Sequence, residues 1–299
     1  MDKNSQIYKM RQKYISHPLQ GFGAYLAYWM FALLPIDVAS NFGGWLLRTL
    51  GPKVGQTKKA RNNLIAAFPE KSADEIQQII IGMWDNLGRS LGEIPHLHKM
   101  RPGGPRIEVV GIENGRLAEN GENPGLYFSG HIGNWEVAMS IPTALDRDMM
   151  CVYRAPDNPW VDNLFIRARK MFRGELVKKG PDGARKLTRF LKEGGSACML
   201  VDQKMADGIA VPFFGRDAMT APALAQFSIK YDAPVIPVRV ERLNGAHFRM
   251  TFYPALDVPK TGDRHADILA IMTEVNAVME SWIRERPEQW LWLHRRWPK

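Results

Sequence analysis

From Ile107 to Arg286 the chain alternates six short apolar runs with five helical stretches, and this alternation limits its fold more than any other feature. The apolar runs are Ile107–Val110, Leu126–Ser129, Met149–Tyr153, Ala197–Val201, Val235–Val240 and Phe248–Tyr253. Helical periodicity marks Asn134–Leu145, Trp160–Phe172, Asp182–Lys192, Ala221–Tyr231 and Ala266–Arg286. Strands separated by helices of about 10–15 residues imply crossover units. The predicted fold is therefore α/β, with a mixed, largely parallel sheet flanked by helices. Upstream, Ser72-x-x-Glu75 spells a capping box and opens a helix with Ile76, Ile79, Ile80, Met83, Trp84, Leu87 and Leu91 on one stripe. Gly103-Gly104-Pro105 separates this helical part, residues 51–104, from an α/β body over 105–299. The two are expected to fold as one unit.

The first 50 residues read differently. Lys3, Lys9, Arg11 and Lys13 stand against Asp2 alone, and the uncharged, aromatic-rich stretch Leu19–Ile36 follows. That stretch is at the short limit for crossing a hydrocarbon core of about 30 Å. A second apolar piece, Val38–Leu50, follows Asp37. A basic cluster next to an aromatic belt suggests membrane attachment over residues 1–50, as a re-entrant hairpin or an interfacial pair of helices. An N-terminus-out span and two buried core helices stay open. The whole chain carries a net charge of +9, which suits anionic membranes, phosphorylated substrates, acidic proteins or nucleic acid alike. Cys151 and Cys198 show no paired spacing, so a disulfide scaffold and a cysteine-based zinc site are both excluded. Inside apolar strands they read as core.

Several short motifs carry no chemistry. Gly88-Arg89-Ser90-Leu91-Gly92 matches a nucleophile elbow, yet it continues an amphipathic helix where a strand-to-helix turn is required. Gly51-Pro52-Lys53-Val54-Gly55 lacks the ending of a phosphate-binding loop, and no G-x-G-x-x-G follows a strand. His96 and His98 flank Leu97 without a nearby carboxylate pair, so a metal site is not expected there.

Gly125–Glu136 is informative. With seven histidines and 31 acids in the chain, roughly 0.7 pairs of a histidine and an acid at this spacing are expected by chance, so the context has to carry the argument. An apolar strand ends in Ser129-Gly130, His131 follows at its carboxyl end, and a helix begins just after. Ligands of open α/β sheets bind at that edge. Glu136, in the first turns of the helix, is expected to fold back onto one imidazole nitrogen. That would fix the tautomer and leave the other nitrogen as a general base. The small residues leave room for substrate, and free helix N-terminal amides would face a developing oxyanion. Asp202, at the carboxyl end of Ala197–Val201, is expected in the same site.

His131-Ile132-Gly133-Asn134-Trp135-Glu136 resembles the H-x4-D/E block of the lysophospholipid acyltransferase superfamily, and within it the late lipid A acyltransferases of lauroyl and myristoyl type. Further blocks match in order: Ala66-Ala67-Phe68-Pro69-Glu70, Trp84-x-Asn86-x-Gly88-Arg89 with Glu93, Tyr153-Arg154, Asn158-Pro159, Arg169, and Asp202-Gln203. Val211–Gly215 with Thr220, Ala233–Val238 and Pro287–Trp297 complete the series, so the likeness spans nearly the whole chain. Two departures stand out. Glu136 replaces the Asp usual in glycerolipid enzymes, and the phosphate block of those enzymes is absent near Phe213-Phe214-Gly215.

The resemblance implies transfer of a fatty acyl chain from acyl carrier protein to a hydroxyl of a phosphorylated disaccharide lipid. The membrane is a further partner, and neither cofactor, metal nor nucleic acid is expected. In this reading His131 is the base and Glu136 supports it, while Arg154, Arg169, Asp202 and Gln203 bind substrate. The enzyme is expected on the cytoplasmic face of the inner membrane, with direct transfer and no acyl-enzyme; Ser129 is the one rival nucleophile. Two other readings stay open. One is another acceptor, a glycolipid or an amino-acid lipid. The other is a non-catalytic basic surface for membrane or nucleic acid, built on Trp290, Trp292, Arg295, Arg296 and Trp297.

Overall fold

The computed structural model describes residues 6–116, 124–170 and 172–297; Lys3 of the basic cluster lies outside them. Its strands are β1 (Ile107–Val110), β2 (Leu126–Ser129), β3 (Met149–Tyr153), β4 (Glu175–Lys178), β5 (Ser196–Leu200), β6 (Ile209–Phe213), β7 (Arg216–Thr220), β8 (Val235–Asn244) and β9 (His247–Phe252). The main sheet runs in the order β1-β9-β8-β2-β5-β3-β4. Strands β8, β2, β5, β3 and β4 are mutually parallel, while β9 lies antiparallel to β8 and carries β1 at the edge. Residues alternate between two buried clusters, Leu126 and Phe128 on one face and Tyr127 on the other. The sheet is the predicted one.

Three strands have no counterpart among the predicted runs. Strand β4 is a four-residue edge with charged ends. Strands β6 and β7 form a separate hairpin in which Pro212, Arg216 and Asp217 spoil any apolar run. The chain reverses through Phe214 and Gly215, both at positive φ, as a two-residue hairpin turn requires.

Among the described residues, five α-helices lead into the sheet. Helix α1 (Gln6–Arg11) continues through one π-helical turn into α2 (His17–Ala32); α3 (Ile36–Leu50) and α4 (Thr57–Ala67) follow. In the next helix, α5 (Ala73–Glu93), the capping box forms with both reciprocal bonds. Helices α3 and α5 cross at glycines: a Cβ on Gly43 would sit 2.3 Å from the Gly88 carbonyl oxygen, and one on Gly88 2.1 Å from that of Gly43. Any larger residue there forces the helices apart. Among the described residues no helix is long and apolar enough to cross a membrane. Helix α2 instead exposes Leu19, Phe22, Leu26 and Trp29, and its C-cap Leu33, each at least 61% accessible, at the spacing of a single helical stripe.

The remaining helices are α6 (Ile112–Arg116), α7 (Trp135–Ala138), α8 (Ile141–Ala144), α9 (Pro159–Arg169), α10 (Pro181–Lys192), α11 (Ala223–Tyr231) and α12 (Arg264–Glu285). The periodicity over Asn134–Leu145 predicts one helix. Two single turns form instead, because Pro142 has no N–H to continue the first and suits the start of the second.

The C-terminal aromatics correct a second expectation. Trp290, Trp292 and Trp297 are 1%, 0% and 6% exposed, and Arg296 is 0% exposed. Their indole N–H groups donate to Asp202, the Pro287 carbonyl and the Phe213 carbonyl, respectively. The Arg296 guanidinium donates to Met219 O, Thr220 Oγ1 and Asn276 Oδ1. Their faces pack in the core, and the indole N–H groups and both terminal guanidinium nitrogens are bonded there, so they offer neither a base-stacking platform nor a bilayer belt.

Candidate active site

The segment after β2 is pinned from three sides. Gly133 sits at φ +58°, and a Cβ there would meet the Val240 carbonyl oxygen at 2.7 Å. Its N–H donates to the Gln289 carbonyl, and its own carbonyl accepts from Asn86 Nδ2. The Asn134 side-chain oxygen accepts from the Glu136 N–H and so caps α7. Asn134 Nδ2 in turn donates to Glu93 Oε2 at 2.8 Å. Glu93 is fully buried; it accepts from Ser40 Oγ and pairs with Arg242, which also donates to Asn86 and Ser90. Ser90 is therefore a structural residue of α5, as its helical context requires. A buried, fully bonded ionic network of this kind rigidifies what it touches, and here it touches the turn that carries His131.

The carboxylate that faces His131 is Asp202. Strands β2 and β5 pair in parallel, with Leu126 opposite Ala197 and Ser129 opposite Leu200. The same offset of 71 residues carried past both strand ends brings Asp202 opposite His131. His131 Nδ1 donates to Asp202 Oδ1 at 2.8 Å, and the His131 backbone N–H donates to Oδ2 at 2.7 Å. Trp290 Nε1 donates to the same Oδ2 at 2.7 Å. Burial would raise the Asp202 pKa, but the charge and hydrogen bonds of His131 outweigh it and hold this carboxyl well below the usual carboxylate range. An ionised Asp202 can only accept, so Nδ1 carries the proton and the Nε2 lone pair is free. Gln203 Nε2 lies 3.2 Å from it, within donating distance.

The sequence assigns that contact to Glu136. Helix α7 instead turns it towards α9, where Arg169 grips it with two bonds of 2.6 and 2.7 Å. Glu136 is 2% exposed. Burial disfavours the Arg169 cation, yet the Glu136 carboxylate more than compensates and raises its pKa. The guanidinium also lies 5.4 Å from the Tyr153 ring centroid and 5.2 Å from that of Phe165, a cation–π arrangement. Its Nη1 is buried with no partner. The expected oxyanion site on free helix amides does not form on these residues, since α7 is a single turn and Asn134 occupies the Glu136 N–H.

A cleft of about 230 Å³ opens beside these groups, lined by His131, Glu136, Arg154, Arg169, Lys179 and Gln203 together with apolar residues such as Phe165 and Leu224. The structure thus brings all six expected site residues together, five in the wall and Asp202 directly behind His131. Sequence reasoning misses His294, whose ring centroid lies 5.0 Å from that of His131. Burial and the neighbouring His131 push its pKa down to about 4, so it is neutral at pH 7. It also misses Trp290 and Glu93 as supports, although both stand in matched blocks. Cys151 and Cys198 are buried, and the Cys198 thiol is pushed well up by its contact with Cys151 and by burial.

Known proteins resemble the chain over its length. The family model of bacterial lipid A biosynthesis acyltransferases matches residues 9–299. Among curated proteins of Escherichia coli K12, the lipid A biosynthesis palmitoleoyltransferase is 24% identical over 276 residues, covering 90% of this chain and 87% of that one. The myristoyltransferase is 23% identical, covering 97% and 91%. The lauroyltransferase is 26% identical, covering 90% and 88%.

Proposed function

This chain belongs to the bacterial lipid A biosynthesis acyltransferase family, and from that premise we propose that it moves a fatty acyl chain from an acyl carrier protein thioester to a hydroxyl of a lipid A precursor, with His131 as general base. The observation that carries the reading is the Nδ1–Asp202 bond, which leaves the Nε2 lone pair beside the cleft. The acceptor hydroxyl, on a 3-hydroxyacyl chain, gives its proton to Nε2 as its oxygen attacks the thioester carbonyl. Asp202 stabilises the imidazolium that forms. The Arg169 guanidinium, in the cleft wall, supplies positive charge for the tetrahedral oxyanion, and Glu136 holds it in place. On collapse the C–S bond breaks, the acyl ester remains on the acceptor, and the imidazolium returns its proton to the carrier thiolate. Arg154 and Lys179 supply charge for acceptor phosphates, and Gln203 orients Nε2 until substrate displaces it.

Direct transfer is supported by the alternatives. Both cysteines are buried away from the cleft wall, and Ser129 is 2% exposed at the end of β2. The apolar stripe of α2 supports attachment to the cytoplasmic face of the inner membrane, lying in the interface plane. The test of the base is His131→Ala, assayed with acyl carrier protein donor and purified lipid acceptor. Transfer is expected to fall at least ~100-fold. Near-normal turnover by a folded variant would remove this mechanism.

A further inference from the structure

A second concavity is joined to the backbone of His294 through Asn63. The start of α4, the β6–β7 hairpin and the C-terminal segment enclose a broad groove of about 470 Å³, lined by Lys58, Lys59, Arg216 and Arg295 with Asn62 and Asn63 and, among the described residues, by no carboxylate side chain. Arg216 is held over the Trp297 ring at 5.4 Å. Asn63 donates to the carbonyls of Trp292 and His294 at 2.9 and 2.7 Å. The groove is therefore built on the same backbone that places His294 against His131. Lys59 and Arg154, from the groove and the cleft, both act electrostatically on His294.

We propose that this groove docks the acidic surface of the acyl carrier protein beside the catalytic cleft, so that its acyl-bearing arm reaches His131. The proposal rests on the reading that the donor is a carrier protein. Three observations favour a protein face over other anions. The four cations come from three separate segments, and Lys58, Arg216 and Arg295 are exposed, which makes an extended field instead of the cage that one phosphate needs. Cations suited to an acceptor phosphate already line the cleft itself, in Arg154 and Lys179. The exposed apolar stripe suited to a lipid surface is on α2, and none of it lines the groove.

The test is charge reversal in the full-length protein, as Lys59→Glu/Arg295→Glu and Lys58→Glu/Arg216→Glu, with the milder Lys→Gln and Arg→Gln set in case reversal impairs folding. Fluorescence anisotropy of labelled holo-carrier protein reads binding. Steady-state kinetics give separate KM values for the carrier thioester and the lipid acceptor. The expected result is carrier binding weakened and donor KM raised at least about tenfold, with steep salt dependence in the wild type and with acceptor KM and kcat unchanged. A rise in acceptor KM alone would assign the groove to the phosphorylated headgroup. Unchanged values in folded variants would make it a solvated face. Either outcome overturns the proposal. If the wild type ignores the carrier thioester but uses the coenzyme A thioester of the same acyl chain, the donor reading itself has failed, and that arm is scored without any variant.

Discussion

Replacing Asp202 by Asn separates the tautomer argument from every other contribution to the site. Asp202 accepts three N–H groups: His131 Nδ1 on Oδ1, and the His131 backbone and Trp290 Nε1 on Oδ2. An Asn amide has one acceptor and one donor end. With its oxygen in the Oδ2 position it keeps two of the three bonds, while its NH2 group faces Nδ1. The flipped amide sets a donor against two donors, so the first orientation wins. An NH2 group facing Nδ1 then requires the lone pair there and moves the proton to Nε2. The base now points away from the hydroxyl. The same inversion in a Ser-His-Asp triad costs about 10⁴-fold, so kcat should fall by about 10³–10⁴, or roughly 4–5 kcal/mol of barrier. Because two buried donors stay satisfied, the midpoint of thermal unfolding should move little. Asp202→Ala strands all three donors and should lose both activity and roughly 3 kcal/mol or more of stability. Initial rates with carrier thioester and lipid acceptor, beside calorimetry of each variant, make the comparison. Asp202→Asn turnover within tenfold of wild type, in a folded protein, would refute the assignment of Asp202 as the group that sets the imidazole tautomer.

Three further outcomes follow from the geometry. Glu136→Gln leaves the Arg169 cation buried without its counter-charge, so stability should drop by about 3–5 kcal/mol and transfer by at least ~100-fold; unfolding by urea and rate assays would show them together, and a silent substitution would contradict the oxyanion role of Arg169. Phe22→Asp/Leu26→Asp should shift the protein from the membrane fraction to the supernatant while its circular dichroism is unchanged, and co-sedimentation with anionic vesicles measures this. His294 has a folded-state pKa of about 4 against an ordinary 6.5. The unfolded chain therefore binds a proton below about pH 6.5 that the folded one refuses until about pH 4, and stability falls by roughly 3 kcal/mol across that window. His294→Gln should flatten this part of the stability profile, which urea titrations at pH 7, 5.5 and 4.5 would read.

Local physics is legible in the chain's own residues. The strands from β1 to β3 sit where their apolar runs place them. The capping box of α5 closes as Ser72 and Glu75 require, and the residue types around His131 mark a strand end, a turn and a helix start. These are short-range properties, fixed by side-chain periodicity and by hydrogen bonds within a few residues. Even the membership of Asp202 in the site follows from its place at the carboxyl end of a strand. The C-terminal tryptophans show the limit. An aromatic, basic run has one composition whether it faces solvent, lipid or a core, and only the packing of residues 287–297 over the β2 turn buries it.

The partner of His131 is decided by tertiary structure alone. Sequence proximity favours Glu136, yet the N-cap at Asn134 sets the direction of α7, and α9 supplies a guanidinium for that carboxylate to bind. Asp202 reaches the imidazole because β5 pairs with β2, although β3 and β4 come between them in the chain. Strand neighbours are chosen by how crossovers pack both faces of a sheet, a long-range balance that no window of sequence contains. Once that pairing is made, the parallel register aligns residues 131 and 202, and a histidine at a strand end becomes an oriented base.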